Sequence, residues 1–161
     1  MAQEIQAVAL FEMAVKANNL ARAVYLDSSE RATRGEIKDL IIELSNSRTR
    51  HADSLSHMCD IRYSGDIPSE ATRSLKEADR RGRDLLEYLN WKRDVAESFS
   101  NMLLLEFAQR VEKDLLGFYS SIGETVEGKL RGQMNRIVED QKGIYTEVET
   151  LTYKTVSGYH L

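Results

Sequence analysis

Proline occurs once in this chain, at Pro68, and on both sides of it apolar residues recur at helical spacing over long stretches. A fold of many short strands needs frequent turn chemistry, which is missing here. The pattern therefore predicts an all-α protein built from a few long helices. The one dense turn signal is Tyr63-Ser64-Gly65-Asp66-Ile67-Pro68, where Gly65 frees the backbone and Pro68 cannot continue a helix begun upstream.

Ala7, Phe11, Ala14, Ala21 and Tyr25 fall on one stripe and predict a first helix over 3–28. Thr33 with Glu36 forms a capping-box pattern, and Ile37, Ile41, Leu44, Leu55 and Met58 carry a second helix over 34–60. The stretch 61–91 reads as a polar, partly helical crossover. Asp94 and Glu97 offer a start signal for a third helix over 92–122, which contains the apolar run Met102-Leu103-Leu104-Leu105. Gly123 gives a short turn into a fourth helix over 124–155, striped by Leu130, Met134, Ile137, Ile144, Val148 and Leu151.

Short turns within each pair and a long connection between pairs predict two antiparallel hairpins joined by a crossover, a four-helix bundle in one domain. The hairpins also read as copies of each other. Leu10, Glu12, Ala14 and Tyr25 recur as Leu104, Glu106, Ala108 and Tyr119, each 94 positions later.

With 26 acidic against 22 basic side chains and a net charge of -4, the chain lacks the electrostatic footprint of a nucleic-acid or anionic-membrane binder. The local run Arg80-Arg81-Gly82-Arg83 reads as a solvated helix face. Cys59 is the only cysteine, so neither an internal disulfide nor a Cys-x-x-Cys metal or redox pair can form, which fits a reducing compartment. No apolar stretch approaches the roughly 18 residues that span a bilayer, and the N-terminus lacks the pattern of a signal peptide. A cytoplasmic protein is expected. No glycine-rich phosphate loop is present, and Ser47, His51 and Asp53 do not share a helix face, which removes the one hydrolase-like triad that could be drawn.

The stripes break in an informative place. Asn18 interrupts the first helix, Arg48 and His51 the second, Glu112 the third and Gln141 the fourth, each near mid-length on the inward row. A buried polar group without a partner costs about 1 to 3 kcal/mol, so these residues are expected to meet one another at the centre of the bundle, reached also by the hydroxyls of Tyr25 and Tyr119. Arg48 against Glu112 is self-neutralising, and the amides and imidazole can complete the hydrogen bonds.

In this setting Glu112-Lys113-Asp114-Leu115-Leu116-Gly117-Phe118-Tyr119 resembles the iron-ligand helix of rubrerythrins, within the ferritin-like superfamily, with a Glu seven residues before the Tyr of a Phe-Tyr pair. Arg50-His51-Ala52-Asp53-Ser54-Leu55 is similar to the family's Glu-x-x-His helix, with His51 in the histidine position and Arg48 in the glutamate position. The resemblance places Asn18 where the first-helix glutamate belongs, and Gln141 and Ile144 where the last helix carries Glu and His. Of six implied ligand positions, only His51 and Glu112 keep their identity.

The resemblance implies a ferritin-like bundle and a homodimer, for which Leu10, Val15 and Leu103 are candidate exposed contacts. Two function classes follow from it. The first is a protein that has lost its di-iron ligands and, with no cofactor, acts as a structural, sensing or partner-binding module toward an unidentified protein. The second is an oxidoreductase acting on peroxide or oxygen, with iron or another metal ion held by His51, Glu112 and a carboxylate such as Asp140 brought inward by a bulge in the last helix.

Overall fold

The computed structural model describes residues 2–32, 35–60 and 72–158, and all regular structure among them is helical. There are five α-helices: α1 (Ala2–Ser29), α2 (Gly35–Asp60), α3 (Thr72–Val95), α4 (Asn101–Thr125) and α5 (Gly128–Gly158), with a 3-10 turn, Ala96–Ser98, between α3 and α4. Thr33, the turn from Tyr63 to Pro68, and the side chains of Ala7 and Glu97 lie outside what is described.

The helices α1 and α2 pack along their length as one antiparallel hairpin, and α4 and α5 as a second. The hairpins register symmetrically about their turns: Asn18 meets Arg48 across the first and Glu112 meets Gln141 across the second. Between hairpins, α1 approaches α4 and α2 approaches α5. The inward faces form a continuous core that includes Phe11, Ala14, Ile41, Leu44, Leu115 and Met134.

The helical part of the crossover is a helix of 24 residues, α3, in keeping with the polar, partly helical reading of 61–91, and it lies against both α1 and α4. Leu75, Ala78, Gly82, Leu85 and Leu89 are buried at alternating spacings of three and four, a narrow seam flanked by charged residues. Two buried apolar residues per seven leave a helix polar on average, which is why its packing role is faint in composition.

Gly82 sits where a Cβ would lie 2.8 Å from Phe118 Cζ and 3.0 Å from Met13 Cε, so the bare backbone is what lets α3 settle between α1 and α4. The run around it is therefore not a plain solvated face. Gly82 points inward, while Arg80 and Arg81 pair with Glu77, and Arg83 with Asp79. The extra helix also gives α1 a second buried face. Leu10, expected as an exposed contact, is buried, Val15 is half-buried against the core, and of the three only Leu103 is exposed, at 43%.

Two helix ends move for local reasons. Asp94 belongs to the last turn of α3, and α4 starts later, at Asn101, where the Ser100 hydroxyl accepts a hydrogen bond from the Leu103 amide at 3.2 Å. Gly123 is not the turn between α4 and α5. It is buried inside α4, and the chain turns at Val126 and Glu127 into Gly128, whose φ of 62° suits glycine. Where α3 hands over to α4, Phe107 gathers Tyr25, Tyr88 and Phe99 around itself at centroid distances of 5.5, 6.0 and 5.6 Å. No described helix is long and apolar enough to cross a membrane.

Candidate functional site: a buried ion pair at the centre of the hairpins

Arg48 is among the largest fully buried side chains of the protein. It reaches inward from the middle of α2 because the helix period puts it on the row of Ile41, Leu44 and Leu55. Its Nη2 lies 3.0 Å from Glu112 Oε1 and donates to Gln141 Oε1 at 2.6 Å. Its Nη1 donates to Asn18 Oδ1 at 3.0 Å and to the Tyr119 hydroxyl at 3.3 Å. One guanidinium thus ties α2 to α1, α4 and α5.

Glu112 is equally enclosed. Oε1 also accepts from Gln141 Nε2 at 3.1 Å, and Oε2 accepts from the Tyr25 hydroxyl at 2.7 Å. The Gln141 amide bonds the Glu112 backbone carbonyl as well, at 2.9 Å. A buried charge is tolerable when paired and hydrogen-bonded, and both conditions hold for this pair. Burial works against the charged form of Arg48, but Glu112 and the surrounding hydroxyls outweigh it, and the guanidinium is held more firmly protonated than in water. Tyr25, buried beside a carboxylate, is pushed well above the usual phenol range, and burial likewise raises Tyr119, so both remain hydrogen-bond donors.

His51 links this centre to the surface. Its Nε2 lies 2.6 Å from Asp140 Oδ2 and its Nδ1 lies 3.2 Å from the Tyr119 hydroxyl. Desolvation and the neighbouring Arg48 charge bring the imidazole down to about 4, so it is neutral near pH 7. The partners then set the tautomer: the carboxylate requires the proton on Nε2, and Nδ1 accepts from Tyr119. Tyr119 in turn receives a hydrogen bond from Asn18 Nδ2 at 2.8 Å. At the rim, burial acts to raise Asp140, but the hydrogen bonds from Arg50, at 2.8 Å, and from His51 prevail and its carboxyl lies below the usual range.

The two hairpins exchange these contacts. Asn18 and Glu112 are related by the same 94-residue offset as Tyr25 and Tyr119. Correspondingly, Tyr25 bonds Glu112 while Tyr119 bonds Asn18, an approximate two-fold relation between α1 and α4.

The structure thus brings together Asn18, Tyr25, Arg48, His51, Glu112, Tyr119 and Gln141 in one hydrogen-bonded set. Ile144 is an apolar core residue. α5 continues as an unbroken α-helix through Asp140, so no bulge carries that carboxylate inward, and His51 reaches out to it instead. His57 is exposed beside Arg136 and Ile137 in a surface depression, and Cys59 packs half-buried against the core. Glu12 and Glu106 are both exposed.

A dinuclear iron centre in a bundle needs a carboxylate from each of two helices and a Glu-x-x-His pair from each of the others. The centre of this protein offers one carboxylate, already engaged by a guanidinium. Among the described residues no group of three His, Cys, Asp or Glu side chains could hold a metal ion. The one orphaned buried atom of the cluster, Arg48 Nε, carries a proton and cannot ligate a cation. The donor set does not fit such a centre. No family model, no curated protein and no solved structure matches the chain.

Proposed function

We propose that this chain is a rubrerythrin-like protein of ferritin-like bundle architecture in which an internal ion pair stands at the positions of the di-iron ligands. In this reading it works without redox catalysis, as a structural, sensing or partner-binding module, and forms a homodimer through exposed apolar side chains such as Leu103. The reading draws on the residue resemblance around Glu112–Tyr119 and Arg50–Leu55, and on the pairing of the hairpins.

The observation that carries it is Arg48. A fully buried guanidinium lies 3.0 Å from Glu112, the one buried glutamate among the described residues, at a position where iron chemistry calls for a second carboxylate. A fixed cation there opposes the binding of another, and the amides of Asn18 and Gln141 satisfy the pair as neutral partners. The test is metal content per chain after expression in iron- and manganese-supplemented medium and again after anaerobic ferrous loading. Near-zero metal is the expected result. About two irons per chain would overturn the reading and restore oxygen or peroxide chemistry.

A further inference from the structure

The two grooves between the hairpins have different fates. α3 lies along α1 and α4 and fills the groove between them, whereas no further described helix fills the groove between α2 and α5. There the surface is hollowed by two depressions of about 460 and 400 Å³, which share Leu40, Glu43 and Glu147 and so form one continuous groove. Its α2 wall runs from Glu36 to Arg50, about 21 Å at 1.5 Å per residue, enough for four turns of a helix.

The floor of the groove is formed by Leu40, Leu44 and Ile144, each less than a tenth exposed, with half-buried Leu151 beside them, and its walls carry Glu36, Asp39, Glu43, Asp140 and Glu147. The two cations in the groove are already used: Lys154 pairs with Glu36 at 3.2 Å and Arg50 with Asp140 at 2.8 Å. Asp39, Glu43 and Glu147, between those pairs, make no ion pair with any described residue. At Gly143 the wall is bare backbone, with nothing within 4 Å of where a Cβ would stand.

We infer that the α2–α5 groove is the docking site for a cationic amphipathic helix of a partner protein. The shape is that of a groove whose counterpart already holds a helix, and the unpaired carboxylates select lysine or arginine flanking an apolar stripe. The inference rests on the partner-binding reading above and gives that partner its chemistry.

The probe is a synthetic helical peptide of about 18 residues with leucines at i, i+3, i+4 and i+7 spacing and lysines on both flanks, labelled and titrated with the full chain by fluorescence anisotropy. A peptide with glutamates in place of the lysines is the control. The lysine peptide should bind and the glutamate peptide should not. Gly143→Trp, which fills the groove without touching the buried pair, and separately the double variant Glu43→Lys with Glu147→Lys, should each weaken binding at least about tenfold. Circular dichroism checks that the variants remain helical.

Equal binding of the two peptides, absence of binding, or lysine-peptide binding unchanged by Gly143→Trp overturns the inference. So does a wild-type dimer in sedimentation that the groove variants dissociate, because a second copy then occupies the groove. Iron uptake in the loading experiment removes the non-catalytic reading whatever the peptides do, whereas peptide failure without iron removes only the docking site.

Discussion

Removing either charge of the Arg48–Glu112 pair strands the other in a dry core. Glu112→Ala should therefore destabilise the protein by about 3 to 5 kcal/mol in denaturant titration, whereas Arg48→Met combined with Glu112→Leu should recover most of that loss. A single variant within experimental error of the wild type would show that Arg48 finds water after all. His51 gives a second test with a definite sign. Its folded value of about 4 lies below the ordinary 6.5, so the unfolded chain binds the proton more readily. Stability is then full above pH 6.5 and falls as pH drops toward 4, by about 3 kcal/mol on the linkage of 1.36 kcal/mol per unit. His51→Gln should flatten that part of the pH profile, leaving the acid limb of the carboxylates. An unchanged slope would assign it to other groups. The inward residues were readable because Asn18, Arg48, His51, Glu112 and Gln141 each interrupt an apolar row. Asp140 was readable as a partner of His51 only by way of a helix bulge, whereas α5 is regular and His51 reaches it across the separation of α2 and α5, a distance no single-helix pattern encodes.

Among the helices, α3 shows how far periodicity reaches. Leu75, Leu85 and Leu89 mark a helix, yet whether that helix covers its own hairpins depends on Gly82 being narrow enough to meet Phe118 and Met13. Gly82→Ala should cost about 1 to 3 kcal/mol from overpacking, beyond any gain in helix propensity. Gly132 in α5 is exposed with open space around it, and Gly132→Ala should stabilise the protein by about 0.5 to 1 kcal/mol. Thermal unfolding of the two variants side by side checks the contrast, and equal shifts would mean that α3 is not seated on this glycine. The same ambiguity explains the other misplaced boundary. Gly123 and Gly128 are alike in sequence, but the first is buried within α4 while a positive φ makes the second the turn. Hairpin pairing was legible from turn lengths, and α3 was legible as a polar, partly helical stretch but not in its packing against α1 and α4.

At the scale of the molecule, each hairpin is a local structure, closed by a short turn and held by apolar faces, and contacts of that kind form early. Arg48 and Glu112 belong to different hairpins, and neither has its charged partner until the two have docked and water has left the centre. Their attraction should therefore be weak in the transition state for folding and complete only beyond it. Stopped-flow measurements on Glu112→Ala across a denaturant series should show unfolding accelerated by most of the lost stability, with refolding slowed little, corresponding to a φ-value below about 0.3. A refolding arm that carries the loss would mean that the hairpins dock before they are otherwise complete. The buried pair is thus a latch that closes last, and what it governs most directly is how long a folded molecule survives before it next opens.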